Sequence, residues 1–222
     1  LNLINELMLN DNHNVVFSSS AAIFGNPIAA KINEDHPRDP INPYGRTKLT
    51  VENFLQHICD THGMNATCLR YFNAAGAHHS GKLGEAHEPE THLIPKILNS
   101  GNYTSEKLKV YGHDYDTPDG TCIRDYIHVR DLAQAHVLAL EYLKQSQLSN
   151  VFNLGTQTGF SVKQIIQAVE DVTGLKPSTR VVKRREGDPT CLVACAKKAE
   201  RFLVWKPLHS TLENIISDAW KW

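Results

Sequence analysis

The sequence lacks a surplus of positive charge, because its 23 lysines and arginines stand against 24 aspartates and glutamates. A nucleic-acid-binding domain needs a basic face, and the net charge of −1 gives no indication of one. The sequence also lacks any run approaching the roughly 18 apolar residues of a membrane span. We therefore expect neither a nucleic-acid partner nor a membrane.

Cysteine is too sparse for a disulfide framework, since a chain of 222 residues has five of them, an odd number. Cys191 and Cys195 are four residues apart, but no second pair follows at the spacing of a zinc site. Free thiols in a reducing compartment are the simpler interpretation, so we expect a cytoplasmic protein without a structural metal.

An initial methionine and a signal peptide are also absent. The opening residues LNLINELMLNDNH instead resemble the second half of an amphipathic helix, with Leu3, Ile4, Leu7 and Leu9 on one face. We therefore expect the chain to be a fragment of a longer protein.

A strand, a helix and a second strand are predicted next. NVVFSSS (14–20) is typical of a short buried strand, and ATCLRYF (66–72) of another. Asn42 and Pro43 begin the helix between them, and Gly63 ends it. This order indicates a βαβ unit with parallel strands and a right-handed crossover. The buried face of the helix should contain Val51, Phe54, Leu55 and Ile58.

The rest of the chain alternates predicted helices and strands, so the fold class is α/β. Capping boxes are expected at Ser161 with Gln164 and at Ser210 with Glu213, and Asp131 is a further candidate cap. The predicted helices lie at 93–99, from 131 to about 144, from 161 to about 174 and from 210 to 222, and the strands at 108–112, 151–155 and 180–182.

Candidate catalytic residues lie at the carboxyl ends of the first two strands, where ligands bind in open parallel sheets. Tyr44 and Lys48 are four residues apart on the helix, so both lie on one face. An ammonium group favours the phenolate form of a tyrosine, which can then remove a hydroxyl proton near neutral pH. A serine from Ser18–Ser20 could orient the substrate hydroxyl. The pair alone is a weak pattern, and its position between two strands makes it informative.

Five blocks of sequence together are similar to a known family. VVFSSSAAIFG, NPYGRTK, LRYFNAAGAH, DGTCIRDYIHV and RREGD occur in the order found in UDP-glucose 4-epimerases of the extended short-chain dehydrogenase/reductase family. The resemblance implies the C-terminal part of a Rossmann-type, doubly wound parallel sheet plus a smaller α/β substrate domain. Residues 1–73 would belong to the NAD-binding domain and 74–222 to the UDP-sugar domain, with about 125–155 packing back on the first.

The resemblance also implies roles for single residues. Tyr44 is similar to the catalytic base, Lys48 to the lysine that assists it and binds the nicotinamide ribose, and Ser20 to the serine that contacts the sugar 4-hydroxyl. The implied NAD contacts are Ser18, Ser19, Ser20, Tyr44, Lys48 and Phe72. The implied UDP-sugar contacts are Ser20, Tyr44, Asn73, His92, Leu93, Lys109, Val110, Tyr111, Arg124, Arg185, Asp188 and Leu192.

The implied reaction is reversible epimerisation at C4 of a UDP-hexose through a 4-keto sugar with tightly bound NAD, in galactose metabolism, by a homodimer that uses no metal. Arginines suit a diphosphate because their planar donors bind it in a bidentate manner. A nucleotide-sugar dehydratase or decarboxylase is the competing possibility, but dehydratases of this family usually carry Thr-Asp-Glu where Ser18–Ser20 stand.

Two features depart from the family pattern. No G-x-x-G-x-x-G or G-x-G-x-x-G occurs in this sequence, so we expect these residues alone to bind NAD poorly and to be inactive. A remnant that binds only UDP-sugar is the alternative. Leu192 replaces the tyrosine of relatives that prefer unacetylated hexoses, which suggests that UDP-N-acetylhexosamine is also accepted. His78, His79, His87 and His92, with Glu85 and Glu88, are interpreted as a solvated loop.

Overall fold

The computed structural model describes residues 2–100 and 107–222. The helices are α1 (Asn2–Leu9), α2 (Pro43–His62), α3 (Leu93–Ser100), α4 (Val129–Ser146), α5 (Val162–Thr173), α6 (Lys197–Phe202) and α7 (Leu212–Lys221), with a 3-10 turn at Ala21–Phe24. The strands are β1 (Asn14–Ser20), β2 (Asn65–Tyr71), β3 (Asn73–Ala75), β4 (Leu108–Tyr111), β5 (Ile123–Arg124), β6 (Tyr126–His128), β7 (Asn150–Leu154), β8 (Phe160–Ser161), β9 (Thr179–Val182) and β10 (Cys191–Leu192).

A parallel sheet of order β1-β2-β7 carries the first part of the fold. Its register pairs Ser20 with Tyr71 and Tyr71 with Leu154, so the carboxyl ends of all three strands are level. Helices α2 and α4 pack against β1 and β2. The α/β class and the parallel βαβ unit are therefore confirmed, and the level strand ends create an edge at which a site can form.

The second part of the fold consists of small sheets and helices. Strands β3 and β6, and strands β4 and β9, form parallel pairs, while β5 lies between β10 and β8. Helices α3, α5 and α7 share a core whose fully buried side chains include Ile97, Ile165, Val169 and Ile215. Within the described residues, no helix is long and apolar enough to cross a membrane.

Helix α2 begins and ends as its sequence predicts. The Asn42 side chain accepts a hydrogen bond from the Gly45 N–H, and Gly63 takes the left-handed conformation beyond the last turn. Its buried stripe is only partly as predicted: Leu55 and Ile58 are buried, but Val51 is exposed. Glu52 is buried instead, because an arginine from β2 neutralises it, and apolar periodicity cannot detect such a pair.

The predicted N-terminal cap is right for α5 and wrong for α4 and α7. Ser161 and Gln164 form the capping box of α5. Helix α4 is capped by His128, and the Asp131 carboxylate instead accepts N–H groups of the segment that precedes α7. Helix α7 is capped by Thr211, because the Ser210 hydroxyl is engaged with Asp131 and the His128 N–H.

Helix α1 also differs from its predicted apolar face. Ile4 is buried against α2 and β2, and Leu7 is partly buried there, but Leu3 and Leu9 are exposed. The apolar face of this short helix is therefore narrower than its leucine content suggests.

Candidate active site

A small pocket lies at the carboxyl ends of β1 and β2. It brings together six of the residues assigned to the site from the sequence, and the N-terminal cap of α2, Asn42, lies beside them. Those six come from separate elements and include both residues that follow β2; they are Ser20, Phe72, Asn73, Arg124, Asp188 and Leu192. The crevice expected at the end of a parallel sheet is therefore present.

The three consecutive serines of β1 have different surroundings. The Ser18 hydroxyl lies 2.8 Å from Nε2 of His136, and the Ser19 hydroxyl donates to Glu52 at 2.5 Å. Only Ser20 lines the small pocket, where its oxygen accepts the Ala22 N–H at 3.2 Å. Because that bond uses only a lone pair, the Ser20 hydroxyl hydrogen can be donated to a ligand.

Tyr44 and Lys48 lie on the same side of α2. The Lys48 ammonium is 5.6 Å from the centroid of the Tyr44 ring, and it donates to the Ser18 carbonyl at 2.9 Å. Tyr44 is half exposed, and neither residue lines the two pockets. The lysine thus lies between the tyrosine and the serine-bearing strand.

Gly45 sets how closely the start of α2 approaches the end of β1. A Cβ atom at this position would lie 2.9 Å from the Pro40 Cβ and would collide with the Ala22 carbonyl. The absence of a side chain therefore allows the helix to sit against the turn that follows Ser20. This close packing fixes the base of the Tyr44 side chain.

A larger pocket, with a volume of about 540 Å³, adjoins the small one. The two pockets share three residues that line both: Asn73, Arg124 and Asp188. The size is in the range of small-molecule sites. Eight of the residues assigned from the sequence to a UDP-sugar line the large pocket, namely Asn73, His92, Leu93, Lys109, Tyr111, Arg124, Arg185 and Asp188.

Val110 is the assigned residue that the structure places differently. Side chains alternate along β4, so Lys109 and Tyr111 line the large pocket while Val110 is buried in the core. Two lysines of the pocket, Lys96 and Lys107, were missed by the sequence analysis. Lys96 lies in the first turn of α3, four residues after His92, and this spacing was a usable signal.

The large pocket has an excess of positive charge. Its cations are Lys96, Lys107, Lys109, Arg124 and Arg185, and its carboxylates are Glu90 and Asp188. Asp188 forms an ion pair with Arg124, whose side chain is 11% exposed. Among the described residues that line the pocket, and leaving Lys109 aside, the other cations Lys96, Lys107 and Arg185 outnumber the carboxylate of Glu90, so the pocket suits an anion.

Arg185 is held by an aromatic ring at the pocket wall. Its guanidinium lies 3.9 Å from the centroid of Tyr111, a distance typical of a cation–π contact. Interaction with Arg185, chiefly a hydrogen bond, lowers the pKa of the Tyr111 phenol. Both side chains therefore act as one polar unit in the pocket.

Comparison with known proteins places this geometry in a family. The model of the NAD dependent epimerase/dehydratase family matches residues 1–155, which include both strand ends and the tyrosine–lysine helix. The chain belongs to this family. A UDP-glucose 4-epimerase of Halalkalibacterium halodurans is 45% identical over 220 residues, and the match covers 99% of the chain. The chain spans 66% of the length of that relative.

Solved structures of family members have the same fold. The UDP-glucose 4-epimerase of Brucella ovis, in complex with NAD, superposes with a TM-score of 0.94 at 46% identity, covering 98% of this chain and 67% of that one. The enzyme of Bifidobacterium longum, in complex with NAD+ and UDP, gives 0.92 at 37% identity, covering 99% and 66%. The UDP-Glc/GlcNAc 4-epimerase of Campylobacter jejuni gives 0.83 at 41%, covering 100% and 67%.

Proposed function

We propose that the whole protein interconverts the C4 epimers of a UDP-hexose, UDP-glucose and UDP-galactose, with NAD as cofactor, in galactose metabolism. The observation that carries the proposal is the cationic large pocket joined through Asn73, Arg124 and Asp188 to the small pocket that contains Ser20. A diphosphate bound among the cations would place an attached sugar toward Ser20. The relatives named above support the same substrate class.

NAD would lie at the carboxyl ends of β1 and β2, against Ser18–Ser20, Tyr44, Lys48 and Phe72. The fit is favourable at Lys48, because its bond to the Ser18 carbonyl leaves further N–H donors for ribose hydroxyls. NAD supplies the hydride acceptor and donor for C4.

We assign residues 1–73 to the cofactor domain and 74–222 to the substrate domain. Helix α4 and strand β7 lie against the first of these, which supports the assignment of about 125–155 to both.

The residues of this chain account for the proton transfers. Tyr44 would remove the proton from the sugar 4-hydroxyl as the hydride leaves C4, and Ser20 would donate a hydrogen bond to the same oxygen. The Lys48 ammonium lies 5.6 Å from the centroid of the Tyr44 ring. Tyr44 returns the proton after the 4-keto sugar has turned its other face, so the acid and the base are the same group.

The nucleotide must stay bound while the sugar turns. Arg124 and Arg185 can hold a diphosphate through planar, bidentate donors. Asn73 and Leu192, which line the small pocket, carry no charge. Strong binding of the nucleotide and weak binding of the hexose suit this reaction. The hexose must be free to turn, and the 4-keto sugar must not be released.

Binding of UDP by calorimetry tests the pocket. We expect Arg185→Ala to weaken binding about 10–100-fold, because charge-assisted bonds to the diphosphate are lost. Arg184→Ala is the matched control, since Arg184 instead binds Asp114 and stacks on Tyr115. Equal losses in the two variants would contradict the assignment of the diphosphate to this pocket.

Turnover of UDP-galactose by the NAD-loaded whole protein tests the base. We expect Tyr44→Phe to lower kcat by about 10²–10⁴-fold with UDP binding unchanged, because only the hydroxyl that moves the proton is removed. A variant that retains most of its turnover would exclude Tyr44 as the base. If the chain of residues 1–222 binds UDP-glucose but the whole protein turns over neither epimer, a UDP-sugar-binding remnant is the correct interpretation.

A second candidate substrate is UDP-N-acetylhexosamine. Leu192 lines the small pocket beside Ser20 and Phe72, and it occupies less space there than a tyrosine would. The Campylobacter jejuni relative is described as a UDP-Glc/GlcNAc 4-epimerase, which supports the idea. Leu192→Tyr should lower turnover of the acetylated substrate selectively. Absence of turnover on that substrate by the unsubstituted protein would end this hypothesis.

We further propose that the protein is a cytoplasmic homodimer. All five cysteines are free, which suits a reducing compartment. Val51 of α2 and Val137 of α4 are exposed on helices that flank the first sheet, and such side chains are suited to a subunit interface. Light scattering coupled to gel filtration measures the mass directly, and a monomer at micromolar concentration would contradict the assignment.

A further inference from the structure

The loop before α3 brings together four side chains that can bind a metal ion. Each of Glu85, His87, Glu90 and His92 offers one ligand atom, and these atoms all lie within 4.8 Å of one another. Nδ1 of His87 is 2.9 Å from Oε1 of Glu85 and 4.0 Å from Oε2 of Glu90. Nδ1 of His92 contacts the same Glu85 oxygen and lies 3.5 Å from Oε1 of Glu90.

The loop is exposed along most of its length, as expected, but some of its side chains meet. Among the histidines of the loop, His87 and His92 converge, while His78 and His79 stack on each other outside the cluster. Glu90 is the second carboxylate rather than Glu88, because its Oε1 accepts the N–H groups of Thr91 and His92 and turns back toward the loop. The spacing along the chain does not reveal this arrangement.

Two carboxylates in one cluster favour a positive charge between them. Glu85 and Glu90 carry a formal charge of −2 when ionised, and neutral imidazoles do not balance it. A divalent cation between the four groups would bring the charge of the cluster to zero. The imidazole nitrogens and carboxylate oxygens would then serve as ligands without protonation of either histidine.

We propose that Glu85, His87, Glu90 and His92 form a structural site for one divalent transition-metal ion of the Zn²⁺ class. Two imidazole nitrogens and two carboxylate oxygens suit such an ion, whereas Ca²⁺ and Mg²⁺ prefer oxygen ligands alone. Four protein ligands leave no open position, which is typical of a structural site and not of a catalytic one. The proposal therefore assigns the ion no part in the proton transfers.

The cluster is accessible and is anchored on two sides. The side chains of His87 and His92 are each 56% exposed, so an ion can enter from solvent. The Trp222 indole donates to the Glu85 carbonyl at 2.9 Å, and its ring packs against Gly84. Glu90 and His92 also line the large pocket. An ion here would join the pocket wall to the C-terminal end of α7.

Titration of the chelator-treated chain with Zn²⁺ and Co²⁺ tests the site. We expect one equivalent to bind, the Co²⁺ complex to show the intense visible absorption of four-coordinate geometry, and Mg²⁺ to compete with neither. His87→Ala should weaken Zn²⁺ binding by more than the roughly 10–100-fold that loss of an outer-shell partner costs.

Matched controls come from the same loop. His79→Ala removes an exposed histidine outside the cluster, and Glu88→Gln removes an exposed carboxylate, so neither should change Zn²⁺ affinity. Glu85→Gln should behave like His87→Ala. Because these variants retain the five cysteines, binding to thiols is common to all of them. Equal affinities of His87→Ala and His79→Ala, or no stoichiometric binding below millimolar Zn²⁺, would overturn the proposal whatever the outcome for UDP.

Discussion

The buried ion pair behind the serine strand is the feature whose removal should cost the fold most. Arg70 of β2 donates from Nε and Nη2 to the Glu52 carboxylate at 2.9 and 2.7 Å, and both side chains are at most 3% exposed. The Ser19 hydroxyl donates to the same carboxylate, and Arg70 Nη1 donates to the Glu34 carbonyl. The network therefore joins β1, β2 and α2 to the loop between β1 and α2, in which Glu34 lies.

Arg70→Met leaves the Glu52 carboxylate buried without its main partner. Among the described residues, Arg38 also pairs with Glu52, but it lies 3.6 Å away and its side chain is 43% exposed. Loss of one partner of a buried pair costs about 3–5 kcal/mol. With a urea slope of about 2 kcal/mol per molar, the midpoint of unfolding should fall by roughly 2 M.

A double-mutant cycle isolates the pair. Replacing Glu52 by leucine in the Arg70→Met background removes the unpaired charge and fills a similar volume, so we expect the double variant to regain about 2 kcal/mol or more. Arg184→Met is the matched control, because its pair with Asp114 is exposed, and it should cost about 0–1 kcal/mol. The free energy of unfolding is measured by circular dichroism in urea. A loss below about 1 kcal/mol for Arg70→Met, or strict additivity in the cycle, would refute the reasoning.

Two further predictions concern stability. Ile165→Ala, in the core between α5 and α7, should lower the free energy of unfolding by about 2–5 kcal/mol, and half-buried Ile166→Ala by less; equal losses would contradict the core assignment. Burial lowers the pKa of His128, so its stabilising contribution is complete above about pH 6.5 and falls as the pH decreases below that value. His128→Asn keeps an acceptor for the Arg130 N–H and should flatten the loss of stability between about pH 7 and pH 5; an unchanged slope would exclude this role.

Local features of the chain could be predicted because each depends on neighbouring residues alone. Asn42 and Gly63 bound α2, and Ser161 with Gln164 begins α5, through hydrogen bonds that span three or four residues. The run of β-branched and polar residues in β1 predicts a strand. The order strand, helix, strand along the chain predicts parallel pairing of the two strands, because a helical crossover leaves few other arrangements.

The candidate site was partly predictable for a different reason. The spacing of Tyr44 and Lys48 places both on one face of a helix. The pocket itself combines residues from β4, β5 and the segment after β9, and nothing in the local sequence shows that these segments meet. The resemblance to a family identified eight of the lining residues, but it missed others, among them Lys96 and Lys107, and included Val110, which faces the core.

The amino-acid sequence by itself determined the helices other than α6, the strands of the first sheet, the caps of α2 and α5, and the α/β class, since these depend on periodicity and on hydrogen bonds between near neighbours. Only the tertiary structure decided which polar groups are neutralised. It placed Arg70 on Glu52, drew Asp131 to the segment before α7, and brought Glu85 to His92. Which charged groups form pairs depends on how the chain packs in space. The distance between two side chains in the folded protein does not follow from their separation along the sequence.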